Sequence, residues 1–139
     1  MKKILIVLIV YLLLFAGCEN NDNNGNNVNT NQNTILTIKN STDYNFTSVS
    51  YGLVNFGAIN SGNDVGKDVP ANNLRPIIFT MFLSHIVEEV ICTTDALTCE
   101  EGKNRSITIN KNTVVSTDRG ITDSIESVVF ALEMQSKND

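Results

Sequence analysis

The side chains that could do chemistry in this chain are few: three cysteines, one histidine and fifteen carboxylates. A catalytic triad needs a base, and the single His85 follows an apolar run with no nucleophile motif beside it, so we expect an exposed turn residue. Glu88 and Glu89 are adjacent, so on a strand they point to opposite faces and are not the paired carboxylates of a glycosidase. Asp64 and Asp68 are too sparse for a calcium loop, and Gly-rich phosphate loops are absent. The sequence therefore predicts a protein that is not an enzyme and uses no cofactor.

One cysteine, Cys18, closes an apolar N-terminal run. Two lysines precede the unbroken apolar residues 4–15, and the small residues Ala16 and Gly17 stand directly before the cysteine. A membrane-spanning helix needs about 20 apolar residues, and this run is shorter and lacks a basic flank behind it. The pattern is typical of a signal peptide over residues 1–17, with a short transmembrane anchor as the alternative.

Residues 14–18 resemble the lipobox of bacterial lipoproteins. Ala16 and Gly17 match its two small positions and Cys18 its invariant cysteine, whereas Phe15 stands where the family prefers leucine. The resemblance implies acylation of the Cys18 sulfur, cleavage before it and acylation of the new amine. One acyl chain binds only marginally, because each buried methylene contributes about 0.8 kcal/mol, and two or more anchor stably. We expect a protein lipid-anchored to the outer membrane or cell surface of a bacterial envelope, with the leaflet left open.

Asparagine dominates the segment after the cysteine. Asn20 to Asn33 has no apolar periodicity, so it cannot bury enough surface to offset chain entropy. We predict a disordered tether over residues 18–33, with an end-to-end distance of roughly 20 Å. An Asn-rich assembly segment is the alternative, which the absence of aromatic spacers disfavours.

The charge balance of the mature chain excludes some partners. Cleavage removes two lysines and no acids, which leaves 8 basic against 15 acidic side chains. Nucleic-acid binding needs a basic face, and docking on anionic lipid by charge needs one too. We therefore expect no nucleic-acid partner, and the lipid membrane is a partner only through the acylated Cys18.

Residues 34–139 are predicted to form one all-β domain, an antiparallel sandwich or small barrel of about seven to nine short strands with a possible short C-terminal helix. The apolar run 76–83 favours a central strand, and 65–69, which stops at a proline, favours an edge. Gly52 and Gly57 predict a tight hairpin with Val54 and Asn55 near its tip. Further strands are predicted over 34–38, 46–51, 56–59, 86–93, 97–100, 105–110 and 113–115.

The spacing of the apolar residues changes near the end of the chain. Asp123 followed by Glu126 is typical of a helix cap, and the next apolar residues recur at helical spacing. The segment 128–130 fits a last strand equally well, so both interpretations stay open.

Two cysteines remain for the folded domain. Cys92 and Cys99 flank a segment in which residues 94–97 fit a four-residue loop between two strands. In such a hairpin the two side chains face each other within bridging range, and an exported domain sits in an oxidising compartment. We predict a disulfide, with two buried reduced thiols as the alternative. A metal site is not expected, because His85 and these cysteines supply too few ligands.

Short motifs resemble those of the small β-rich lipoproteins of spirochaetes. Tyr51-Gly52 and Phe56-Gly57 match the opening and closing of a hairpin in that group, and residues 112–115 match a late Asn-Thr-Val-Val strand. The resemblance implies a β-rich fold and assigns no molecular function.

Anchor, tether and a compact domain without catalytic groups predict a non-enzymatic lipoprotein that presents its β-domain to a protein or glycan. Loops at the ends of the sandwich are the expected contacts, namely Asn60–Asp64, Asn72–Arg75 and Thr94–Leu97. A structural envelope component is the alternative function, and an inhibitor or enzyme ranks below it.

Overall fold

The computed structural model describes residues 34–138, so the predicted signal peptide (1–17) and tether (18–33) lie outside the described residues. Short strands, separated by turns, lead to one helix at the end of the described chain. The elements are β1 (Thr34–Ser41), β2 (Asn45–Tyr51), β3 (Val54–Ile59), β4 (Asp64–Val69), β5 (Leu74–Arg75), β6 (Ile77–Leu83), β7 (Glu88–Thr93), β8 (Leu97–Thr98), β9 (Arg105–Asn110), β10 (Val114–Thr117), β11 (Thr122–Ser124) and α1 (Ile125–Ser136).

Two sheets bury their inner faces in one shared core. The smaller sheet has the order β4-β1-β9, the larger has the order β11-β10-β7-β6-β2-β3, and β5 pairs with β8 separately. The prediction of an all-β sandwich is confirmed. Neither sheet closes on itself within residues 34–138, so the barrel alternative is not formed.

Strand β6 lies inside the larger sheet, as its apolar sequence predicted. Ile77, Phe79, Met81 and Leu83 alternate inward and are buried, which is the period of two that a strand imposes. The rings of Phe46 and Phe79 pack with centroids 4.4 Å apart, so β2 and β6 share the centre of this layer. The predicted edge strand is also confirmed, because β4 lies at the edge of the smaller sheet.

Three details differ from the sequence-based expectation. The sandwich is not wholly antiparallel, because β1 pairs with β9 in parallel. There are eleven strands in the described residues, two more than the upper estimate, because the short strands β5 and β11 were not predicted. The β2–β3 hairpin turns at Gly52 and Leu53, because Tyr51 pairs with Val54, so the predicted tip at Val54 and Asn55 is wrong by about two residues.

A buried asparagine holds the corner where the two sheets meet. The Asn40 amide nitrogen donates to the Tyr44 carbonyl oxygen at 2.7 Å and to the Ile59 carbonyl oxygen at 3.0 Å. Its amide oxygen accepts from the Thr42 backbone N–H at 3.0 Å and from the Thr42 hydroxyl at 2.7 Å. Because every polar atom of the side chain is satisfied, a fully buried asparagine is tolerated here.

The C-terminal helix is formed, and the alternative of a last strand is wrong for residues 128–130. Its N-cap is Ser124, whose hydroxyl accepts from the Ser127 backbone N–H at 3.3 Å. The helix buries one face in the sandwich core, made of Ile125, Val128, Val129 and Leu132. The apolar residues at helical spacing therefore contact the sheets, as the pattern predicted.

Candidate binding surfaces

One end of the sandwich carries an open cleft of about 380 Å³. Tyr51 lines it, and its hydroxyl stands 2.8 Å from the Asn73 carbonyl oxygen and 3.0 Å from the Leu97 carbonyl oxygen. One side chain therefore joins the end of β2 to the loop before β6 and the loop after β7. Tyr51 is buried, and burial, with the Cys99 thiol beside it, raises the pKa of Tyr51 to about 12. The hydroxyl is a structural hydrogen-bonding group near neutral pH and not a base.

Apolar side chains form the rim of this cleft. Leu53, which lines the cleft, stands at the tip of the β2–β3 turn and is fully exposed, and Leu74, between the lining residues Asn73 and Arg75, is 66% exposed. Gly52 has a φ of +58°, which residues with a Cβ rarely adopt, and a Cβ there would lie 3.5 Å from Arg75 Cγ. The stem of Arg75 therefore lies against the turn. The result is an apolar surface beside a single cation.

The folded chain begins at the same end as the cleft. Thr34, the first residue of β1, pairs with Val69, and Val69 precedes Pro70, which lines the cleft. The Thr34 hydroxyl also donates a hydrogen bond to the Glu100 carbonyl oxygen. The point where the preceding chain joins the domain is thus fixed beside the cleft.

A second exposed apolar surface lies on the outward face of the larger sheet. Thr80 pairs with Ile91, and Ile78 and Phe82 stand two residues to either side of Thr80 on the same strand face. Ile78, Phe82 and Ile91 are each more than one third exposed, although they are large and apolar. Among the residues that pair between β6 and β7, one charged side chain lies on the outward face: Glu89, opposite Phe82. We call Ile78, Phe82 and Ile91 the sheet-face patch.

Two residues considered for catalysis, His85 and Glu88, are paired with other side chains. His85 lies in the turn after β6, as predicted, and its Nε2 stands 2.6 Å from Glu133 Oε1, which joins the turn to α1. Glu88 forms an ion pair with Arg119 at 2.9 Å. Among residues 34–138 there is no group of three or more histidine, cysteine or carboxylate side chains that could hold a metal ion.

The cysteines do not form the predicted disulfide, because Cys92 and Cys99 are free, buried thiols. The predicted hairpin is the part that is wrong. Strand β7 pairs with β6 and β10, whereas β8 pairs with β5, so Cys92 lies opposite Phe79 and not opposite Cys99. Burial, together with the Asp118 carboxylate, raises the pKa of the Cys92 thiol to about 12. Such a thiol is a poor nucleophile and behaves as a small apolar core residue.

The three loops predicted to carry contacts do not form one surface. The loops Asn72–Arg75 and Thr94–Leu97 meet at the cleft, where Leu74 and Arg75 pair with Thr98 and Leu97. The loop Asn60–Asp64 lies at the other end of β3, where the Gly62 backbone N–H donates to the Asn40 carbonyl oxygen at 2.8 Å.

Sequence reasoning named the loop Asn72–Arg75, which contains Leu74, but it missed Leu53 and the sheet-face patch. Leu53 was not recognised as a turn residue, because the predicted turn lay about two residues too late. A two-residue loop that begins with glycine would have placed Leu53 in the turn. The alternation of β6 implied that Ile78 and Phe82 point outward, but no signal in the sequence distinguished them from ordinary surface residues.

The anchor residue Cys18 lies outside the described residues. No helix of residues 34–138 is long and apolar enough to cross a membrane. Comparison of the chain with protein-family models, with curated proteins and with solved structures finds no match.

Proposed function

We propose that this protein is a bacterial envelope lipoprotein that is anchored through acyl groups on Cys18. Support comes from the N-terminal sequence: basic residues, a short apolar run, two small residues and a cysteine. The asparagine-rich residues that follow fit a spacer, and the first strand begins directly after them at Thr34. In this proposal the acyl chains insert into the outer membrane or the cell surface, and the β-domain is displayed in front of it.

The displayed domain acts by binding and not by catalysis. Its cleft is lined by apolar residues, Asn73, the guanidinium of Arg75, and Tyr51, whose raised pKa removes it from acid–base chemistry near neutral pH. General acid–base or nucleophilic catalysis needs convergent groups within hydrogen-bond reach of each other, and this arrangement favours a binding role over such chemistry.

The observation that carries the binding proposal is the sheet-face patch. Monomeric proteins leave single apolar side chains exposed, whereas neighbouring large ones mark interaction surfaces. Ile78, Phe82 and Ile91 are neighbours by register around Thr80, which pairs with Ser48 and Ile91. Glu89, which accepts a hydrogen bond from the Thr47 hydroxyl at 3.3 Å, is the one charged partner on this face in the register of β6 with β7. The core of a protein interface is likewise poor in charge. A protein partner fits better than a glycan, because none of the three side chains can hydrogen-bond to sugar hydroxyls.

Mass spectrometry of protein extracted from the producing cells tests the anchor. We expect a chain that begins at an acylated Cys18, with the preceding lysines removed. An intact N-terminus with an unmodified Cys18 would refute the anchor.

Affinity capture tests the sheet-face patch. The folded domain (34–139), which contains the whole described core, is mixed with envelope and extracellular matrix fractions beside two variants, Ile91→Lys and Phe130→Lys. Phe130 is an exposed apolar residue on α1, 64% exposed against 45% for Ile91, and serves as the control. We expect a protein captured by the unaltered domain and by Phe130→Lys but lost with Ile91→Lys, while all three domains melt alike. Equal capture by all three, or none, would contradict the assignment.

A further inference from the structure

We propose that the cleft end of the domain docks onto the lipid surface that holds the acylated cysteine, by inserting Leu53 and Leu74. This inference rests on the proposed lipid anchor and adds the partner of the cleft. It also leaves the sheet-face patch free for a protein.

Exposure is the first argument. Leu53 projects from a turn of only two residues and has no neighbour that shields it, and Leu74 stands exposed on the adjoining loop. Polar residues at both positions would leave the core unchanged, since neither leucine belongs to it. Leu53 and Leu74 stand on neighbouring loops, because Arg75, which follows Leu74, lies against Gly52, which precedes Leu53. Exposed apolar side chains of this size can enter the boundary between headgroups and acyl chains.

Position is the second argument. Thr34 is fixed at the cleft end, so the 16 residues from Cys18 to Asn33 join the domain there. If these residues form the flexible coil that their composition predicts, their root-mean-square reach is roughly 20 Å, which would hold the cleft end close to the anchored lipid. The tether makes docking an intramolecular step, so even a weak lipid contact is populated.

Charge is the third argument. The mature chain is acidic, but the loops of the cleft end are balanced: the cations Arg75, Lys103 and Arg105 accompany three acids, namely Asp95, Glu100 and Glu101. Lys103 and Glu100 form an ion pair, and Arg105 donates to the Thr98 carbonyl oxygen. The excess of acid therefore lies elsewhere on the domain. Arg75, beside the leucines, is placed to meet a lipid phosphate.

The lack of tryptophan makes the orientation measurable, because a single introduced tryptophan is the only one in the chain. Leu53→Trp places the probe at the cleft tip. Phe130→Trp places a matched probe on α1, near Glu133, whose partner His85 follows the opposite end of β6. Full-length lipidated variants are reconstituted into phosphatidylcholine vesicles, with and without phosphatidylglycerol, whose acyl chains carry bromine as a quencher.

We expect Leu53→Trp to shift its emission to the blue and lose most of its intensity in brominated vesicles, with either lipid composition. Phe130→Trp is expected to remain unquenched. Adding Leu74→Asp to Leu53→Trp should lower the ratio of docked to free domain at least about tenfold, because each buried leucine is worth at least one factor of ten. The quenching is then lost.

Each other outcome has a distinct meaning. Vesicle-bound protein in which neither tryptophan, or both equally, is quenched would overturn docking and leave the anchor standing. A blue shift of Leu53→Trp without quenching would show that a protein or a second copy covers the cleft, which also overturns the proposal. If the protein has the mass of the unacylated chain and does not sediment with vesicles, the anchor and the docking are both overturned.

Discussion

Replacing Tyr51 by phenylalanine isolates the contribution of one hydroxyl to the cleft. The ring keeps its place in the core, and only the oxygen that stands 2.8 Å from Asn73 O and 3.0 Å from Leu97 O is removed. A net hydrogen bond contributes roughly 1 kcal/mol, and a carbonyl left without its partner at a partly buried site adds to the loss. We expect the free energy of unfolding to fall by about 1 to 2 kcal/mol.

The matched control is Tyr44→Phe. Tyr44 is partly buried, but its hydroxyl makes no hydrogen bond among the described residues, so its removal should cost less than about 0.5 kcal/mol. Urea unfolding of both variants gives the two free energies. A loss in Tyr51→Phe no larger than in Tyr44→Phe would refute the claim that Tyr51 joins the two loops.

The same substitution changes the alkaline stability in a direction that can be worked out. The pKa of Tyr51 is about 12 in the folded state and about 10 in the unfolded chain. Between these values the unfolded chain loses its proton first, so stability that is fully present below pH 10 is lost as the pH rises to 12. Tyr51→Phe cannot titrate, and its loss of stability over this window should be smaller than that of the unaltered protein. The raised pKa of Cys92 acts equally in both proteins.

Three further predictions concern the described fold. Asn40→Ala removes all four side-chain hydrogen bonds at the sheet corner, and chemical denaturation should show a loss of about 3 kcal/mol or more; a loss below 1 kcal/mol would contradict the corner. Ser124→Ala removes the N-cap of α1 and should cost about 1 kcal/mol, with Ser127→Ala as the milder control. Thiol reagent without reductant should label Cys92 and Cys99 in unfolded but not native protein; two unreactive thiols after unfolding would show a disulfide.

Local pattern was enough to predict much of the fold. The alternation of residues 77–83 fixed which side of β6 faces the core, because side-chain period and burial are linked directly. The cap and helical spacing near residue 124 likewise indicated α1, since both signals lie within a few residues of one another.

Pairing between distant segments could not be predicted in the same way. Cys92 and Cys99 are close in sequence, and a hairpin was the simplest interpretation, but β8 pairs with β5 because Tyr51 and the cleft loops gather there. The parallel pairing of β1 with β9 has no local signal at all, because it depends on which edge the rest of the sandwich leaves open. The cleft is built from such distant contacts, so its rim became visible only in the structure.

The parallel pairing of β1 with β9 bears on how the chain can be made. Strand β1 is the middle strand of its sheet, yet one of its two neighbours begins only at Arg105. Loop-closure entropy must be overcome across more than half of the domain before this pairing forms, and contacts of such long range form slowly. Because synthesis starts at the N-terminus, the domain stays incompletely folded until β9 has been synthesised. For the envelope lipoprotein proposed above, that delay would keep the chain unfolded for passage through a secretion channel.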